Sequence, residues 1–385
     1  MQIYKNETFL IDSPNMLSTG TSIIHYKNDN GTPMQLSATQ PTKILVTTNS
    51  EEFDQIRPII TDSIKAGKLW VIATSYEWGL SQLGLPAPHS NALFLEYDSY
   101  SESTLTTPQK KQHIKPIKLQ PDWHKKDFSN AIINAKKAIK EGDIYQINLS
   151  YPSTVETDHS IESLYLNQFL PQAPSHGAFI STDFCKIASC SPEEFFYFKN
   201  GAIRTQPIKG TIGRHTDPLK DRKAYNQLKN SDKDFAELTM ITDLMRNDLS
   251  ICAVQNTVET TSLCEIVPFH YVYHLISTIT AKTKPELTPL DLLMQLAPGG
   301  SITGCPKQSA CNIITELENG PRHFYTGHIG FIKGLDEAAF NVAIRTCYQY
   351  KNNSIKTHSG CGITIESDPI DEYQESIDKL RFLTY

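Results

Sequence analysis

The sequence predicts an α+β protein with one sizeable core, on three observations. Runs of strand length that are apolar or strictly alternating recur, as at residues 43–48 (KILVTT), 69–73 (LWVIA) and 144–150 (IYQINLS). Helix-period patterns occur between and after them, as in residues 127–142 and 234–253. The 385 residues are 39% apolar and 20% charged, enough to bury a large core.

Composition also excludes function classes. A formal net charge of −6 argues against a nucleic acid or an anionic membrane as partner. No apolar run approaches the roughly 18 residues of a membrane-spanning helix. The N-terminal MQIYKNETFLIDS lacks the pattern of a signal peptide. Eight cysteines, at 185, 190, 252, 264, 305, 311, 347 and 361, form no CxxC pair and no zinc spacing. They fit reduced thiols, so a cytoplasmic location is expected.

In chain order, residues 43–48, 69–73 and 92–97 (ALFLEY) read as strands, and the polar stretch 99–118 as a loop or linker. Nothing before residue 125 carries a chemical motif. Phe128, Ile132, Ala135 and Ile139 mark an amphipathic helix that stops at Gly142. In the strand that follows, Gln146, Asn148 and Ser150 share one side, which is expected to face water. Strands are expected at 177–181 and 187–189.

Residues 191–214, SPEEFFYFKNGAIRTQPIKGTIGR, then predict a β-hairpin. Its strands are 195–198 and 202–205, and Asn200-Gly201 makes the turn. The hairpin allows Glu193 and Lys209, near its open end, to share a pocket. On spacing alone both also fit solvated surface charges.

A charged loop and surface helix follow, then the 234–253 helix, where Asp234 and Glu237 share a face. Residues 269–280 hold His270 and His274 in an apolar setting, and 290–296 form a short helix. The loop 298–304 (PGGSITG) leads into a helix over 306–318, an arrangement suited to a carboxylate or phosphate. It lacks the GK[ST] of a P-loop. Strands are expected at 325–331 and 339–348. The second carries Arg345, a lone cation that needs an anion if buried. Gly360 and Gly362 permit close backbone approach to a ligand. The last helix, 369–383, is capped by Asp368 and carries Glu372, Glu375 and Lys379 on one face. If the 234–253 and 369–383 helices meet, their four carboxylates require a cation, and all-oxygen ligation suits Mg²⁺.

From about Asp127 onward the chain resembles the chorismate-utilising enzymes. The resemblance rests on GDIYQINLS, SPEEF, PIKGTIGR, AELTMITDLMRND, HLIST, PGGSITGCPK, YTGHIGF, FNVAIRT, SGCGITIESDP and EYQES, in the family's order. It implies a two-sheet sandwich with helices outside, a divergent N-terminal region (1–125) contributing to it, and a chorismate-binding catalytic region (126–385). It further implies Mg²⁺ held by Glu237 and Glu375, with Asp234 and Glu372 acting through water. Arg345 and Tyr325 would grip the enolpyruvyl carboxylate. Thr303, Lys379, Gly360, Gly362, Gly210, Thr211 and Gln146 match substrate-binding positions. His274 matches the active-site histidine, and Glu193 the general acid that helps the C4 hydroxyl leave.

Two positions select among the family's reactions. Water-adding members resemble one another in having a lysine where this chain has Gln146. Anthranilate synthases read PIAGT where this chain reads PIKGT, and the lysine resembles the aminodeoxychorismate synthase branch. A neutral Lys209 amine beside C2 can form a covalent intermediate. Ammonia from a separate glutamine amidotransferase subunit, the other half of a heterodimer, then attacks C4, in a route to p-aminobenzoate and folate. The N-terminal third lacks the LLES-type motif that accompanies tryptophan control. Alternatives are an anthranilate synthase with an unusual lysine and a catalytically silent chorismate-binding homologue.

Overall fold

A computed structural model describes residues 17–105, 117–269, 272–351 and 353–384. The N-terminal segment assessed for a signal peptide and His270 lie outside the described residues. The described strands form two ten-stranded sheets. All their pairings are antiparallel. The first sheet runs in the order Gly304–Cys305, Gln146–Glu156, Ile355–Ile363, Thr346–Tyr350, Cys185–Ser189, Ala178–Ser181, Ser22–Lys27, Pro33–Ala38, Ser101–Thr104. Lys118–Pro121 also pairs with Gln146–Glu156. The second sheet runs Ile208–Gly213, Val272–Lys282, Ala202–Gln206, Glu194–Lys199, Glu337–Val342, His328–Lys333, Leu69–Thr74, Ala92–Tyr97, Lys43–Thr47. Glu259–Pro268 also pairs with Val272–Lys282.

One face of each sheet packs on the other. Ile24, Leu36, Ile180 and Ile187 from the first meet Val71, Leu93, Leu95 and Phe331 from the second in one apolar cluster. The opposite face of the second sheet, with Trp70, Ile72 and Phe94, takes the helix Ser50–Lys65 through Phe53, Ile56, Ile60 and Ile64. Burial on both faces explains why 69–73 and 92–97 read as continuous apolar runs rather than as alternations. The first sheet's outer face is covered in part by Ile161, Leu164 and Phe169.

The expected hairpin is present. Lys199 pairs with Ala202 across Asn200 (φ 49°) and Gly201 (φ 80°), the two left-handed residues of a tight two-residue turn. The strands at 43–48, 69–73, 92–97, 177–181 and 187–189 and the helices at 127–142, 234–253, 290–296, 306–318 and 369–383 stand close to their expected bounds.

Three expectations are corrected. Ser101–Thr104, inside the expected linker, is a strand, and another, Lys118–Pro121, begins at the linker's last residue; their polar side chains suit a sheet edge, and residues 106–116 lie outside the described residues. Gln146, Asn148 and Ser150 do not face water; all three are buried. Helices cover the opposite side of the strand, Ile147, Leu149 and Tyr151, while on the polar side Asn148 borders the cleft described below and the Ser150 hydroxyl donates to Glu318. Residues 339–348 are not one strand. The chain leaves the second sheet after Val342, passes Arg345 in a left-handed conformation (φ 51°), and enters the first sheet at Thr346.

That break matters for function. The chain crosses between the sheets here and again between Ser189 and Glu194. The two crossings are bonded to each other. Cys190 N donates to Arg345 O (2.9 Å), and Val342 N donates to Glu193 O (3.1 Å). Glu193 and Arg345 thereby become neighbours where the sheets meet.

Candidate active site

Between the helices Asp232–Cys252 and Pro369–Lys379 and the crossings lies a cleft of about 500 Å³. It gathers every sequence-predicted site residue except Thr303 and Gln146.

At its inner end Glu193 is only 6% exposed. Burial pushes its carboxyl pKa upward, against a hydrogen bond from Ser301 Oγ to Oε1 (2.6 Å) and the charges of Lys209, Lys379 and Arg345. A carboxyl that keeps its proton is suited to donate it. Arg345 has its own charge disfavoured by burial; Cys190 and Glu193 pull the other way. The left-handed backbone that aims it is unusual for a side chain of this size. His274 is buried and pushed down to about 3, chiefly by desolvation and then by Arg345. It is therefore a neutral imidazole, with Nδ1 2.8 Å from Thr211 Oγ1. Tyr325 is buried and stacks on His358 at 5.2 Å.

Lys209 reaches the cleft from the strand Ile208–Gly213. The pairing of that strand with Val272–Lys282 slips between Lys209 and Thr211, and Gly210 sits in the slip with φ 67°. Lys209 and Thr211, two apart, both line the cleft, and at the bulge Gly210 lines it as well. Gly210 is required twice over: a Cβ there would also meet Asp234 at 3.1 Å.

At the outer end the two helices face each other across the cleft, so Asp234, Glu237, Glu372 and Glu375 all line it. Lys233 Nζ lies 3.9 Å from both Glu237 and Glu372, an ammonium between carboxylates of the two helices. Burial raises the Glu237 pKa, and Asp234 and Glu372 repel its charge further. Carboxylate oxygens of this kind suit a divalent cation of the Mg²⁺ type. Among the described residues the ligand atoms that lie within 4.8 Å of one another are those of Cys361, Glu372 and Glu375, and Asp234 and Glu237 are not part of that group. Burial pushes the Cys361 thiol up to about 12, so it stays neutral and leaves oxygen donors to a hard ion. Lys379 bonds Glu375 (2.8 Å) and donates to Gly360 O (3.0 Å).

Two predicted residues stand elsewhere. Thr303 is buried outside the cleft, and its hydroxyl donates to Gly299 O (2.9 Å), so it braces the glycine loop. Gln146 lines a second cavity of about 700 Å³ with Met240, Ile241 and Cys305. The glycine loop itself departs from expectation. The short strand Gly304–Cys305 separates it from the helix Lys307–Leu317, whose N-terminus does not line the cleft. The loop instead offers Ser301 and Ile302. Ser301, Lys233 and His358 were not singled out from the sequence. Only Lys233 carried a local signal, its i, i+4 spacing to Glu237.

Residues 38–385 match the model of the chorismate binding enzyme family. The chain belongs to this family. As a chorismate binding enzyme it is 39% identical over 268 residues to aminodeoxychorismate synthase component 1 of Escherichia coli K12, covering 68% of this chain and 58% of that protein. It is 27% identical over 349 residues to anthranilate synthase component 1 of Lactococcus lactis, covering 86% and 75%. The chain thus spans less than two thirds of the length of the first relative. Among solved structures, anthranilate synthase component I from Streptococcus pneumoniae superposes with a TM-score of 0.74 at 23% identity, covering 99% of this chain and 95% of that one. A putative isochorismate synthase from Bacillus anthracis gives 0.77 at 19%, covering 95% and 96%. The family match begins at residue 38, so it takes in strands of the N-terminal third that resembled nothing by sequence pattern. Among the described residues no helix is long and apolar enough to cross a membrane.

Proposed function

We propose that this chorismate binding enzyme aminates chorismate at C4, giving 4-amino-4-deoxychorismate, with ammonia supplied by a separate glutamine amidotransferase subunit. The observation that carries the reading is Lys209, whose bulged strand brings it into the same cleft as Glu193. The relatives named aminodeoxychorismate synthase component 1 point the same way.

The chemistry follows from these two groups. The lone pair of Lys209 Nζ forms a bond to C2 of the ring. The π pairs move from C1=C2 to C1=C6 and from C5=C6 to C4=C5, and the C4–O bond breaks. Glu193 gives its proton to the departing oxygen, which leaves as water. Ammonia then bonds to C4, the π pairs return, and the C2–N bond breaks with its pair going back to Lys209. The surplus ammonia proton restores Glu193. Arg345 and Tyr325 hold the enolpyruvyl carboxylate, and the neutral His274 orients Thr211 without adding charge. Glu237 and Glu375, with Asp234 and Glu372 acting through water, would hold Mg²⁺, which supplies positive charge for the ring carboxylate.

Incubation with chorismate, Mg²⁺ and ammonium tests the reading. The expected product is 4-amino-4-deoxychorismate. Anthranilate as product would overturn it, and no turnover with any amine would favour a silent homologue. Lys209→Ala is expected to lose C4 amination by about a hundredfold or more. Amination at full rate in that variant removes the covalent step.

A further inference from the structure

We infer that Gly362 and Gln146 form the seat that positions the amine of Lys209, a role that rests on the amination reading above. Of the cleft's three glycines, Gly210 answers to its left-handed bulge. Gly360 answers to the sheet, since a Cβ there would strike Leu149 O at 2.0 Å. Gly362 has neither reason. A Cβ on it would meet two atoms within 4 Å, Lys209 Nζ at 3.0 Å and Gln146 Nε2 at 3.4 Å. The absent side chain is therefore the space in which the ends of these two residues converge.

Their chemistry at that point is incomplete. Nε2 of an amide and Nζ of a lysine are both donors, whereas Gln146 Oε1 is buried without a hydrogen-bond partner. An orphaned buried acceptor is costly. Rotating the amide about its last bond exchanges two nearly isosteric atoms and turns Oε1 toward Lys209. The acceptor then gains an N–H, and the amine is held with its remaining valence free for the ring. A cationic side chain at 146 would instead set two ammonium groups against each other.

The test reads the lysine itself. The enzyme is incubated with chorismate and Mg²⁺ without ammonia, and the Lys209 adduct, chorismate less water, is followed by peptide mass spectrometry. Gln146→Met, of similar size but without the acceptor, is expected to slow adduct formation about tenfold or more, with the chorismate Kd within about twofold of wild type. Gly362→Ala is expected to slow adduct formation likewise by pressing Nζ aside. In parallel, trinitrobenzenesulfonate labelling of the free enzyme is compared at Lys209 and at the exposed Lys118. Slower labelling at Lys209 alone supports the seat. Equal labelling at Lys209 in wild type and in folded Gln146→Met overturns it, whether or not an adduct forms. A wild-type enzyme that aminates chorismate without any adduct sinks the covalent reading, and the labelling still decides the seat.

Discussion

Two carboxylates of the same cleft, Glu193 and Glu375, are pushed in opposite directions by their surroundings. Glu193 lies where the chain crosses between the sheets, 6% exposed, and burial raises its pKa. Glu375 stands on a helix at the rim with its side chain 52% exposed. Burial opposes its charge too, but Lys379 at 2.8 Å, Lys209 and Lys233 pull its pKa below the usual value. One end of the cleft thus favours the protonated carboxyl at Glu193, and the rim favours the ionised one at Glu375. The division follows from topology. Sheet crossings bury whatever they carry, whereas successive turns of a helix can hold carboxylates in a row at the solvent boundary.

The contrast breaks most severely at the buried end. Glu193→Gln keeps the shape and the Ser301 contact but cannot release a proton. C4 amination is expected to fall by roughly 10²–10⁴-fold, measured as kcat with saturating ammonium. A loss below tenfold would show that the departing oxygen finds its proton elsewhere.

A second, smaller effect concerns pH. The folded pKa of Glu193 is raised, so between the unfolded and folded values the native state holds more protons than the unfolded one. Stability is then full below the ordinary carboxylate range and declines as pH rises through that window. Glu193→Gln should remove this decline. Melting curves of the two proteins are expected to differ increasingly with rising pH through the window, with the variant the more stable. Parallel curves would show that the carboxyl is not desolvated.

How much of this was legible varied with the kind of signal. The hairpin was readable because Asn-Gly between two apolar runs has a local physical cause. The two carboxylate pairs were readable as helix faces, but their meeting is a tertiary fact no spacing encodes. Arg345 stood out as a lone cation, yet the break in its strand was hidden because Val342, Ile344 and Thr346 continue the strand-like pattern on both sides. Gln146 and Asn148 looked solvent-facing because alternation distinguishes two faces and cannot say which is wet. The glycine loop misled for a related reason. Its glycines serve close packing rather than an anion at a helix end: a Cβ on Gly300 would meet Leu244 at 2.8 Å, and one on Gly304 would strike the backbone oxygen of Gln146.

The smallest expected effect lies at the outer end and asks whether Lys233 stands in for the cation. Its side chain is 59% exposed, and both of its contacts are long, 3.9 Å to Glu237 and 3.9 Å to Glu372. Exposed pairs of this kind contribute about 0–1 kcal/mol. A metal that displaces the ammonium gives up no more than that, so Lys233→Met should tighten Mg²⁺ binding by at most about fivefold. Titration calorimetry with Mg²⁺ in the absence of chorismate reads this directly, and the gain should shrink at high salt, where exposed charges are screened. A gain well above fivefold would mean that these contacts hold the ammonium more firmly than exposed pairs do, and weaker binding would mean that Lys233 orders the two helices. Glu193→Gln serves as the control, because a change confined to the buried end should leave the Mg²⁺ isotherm in place.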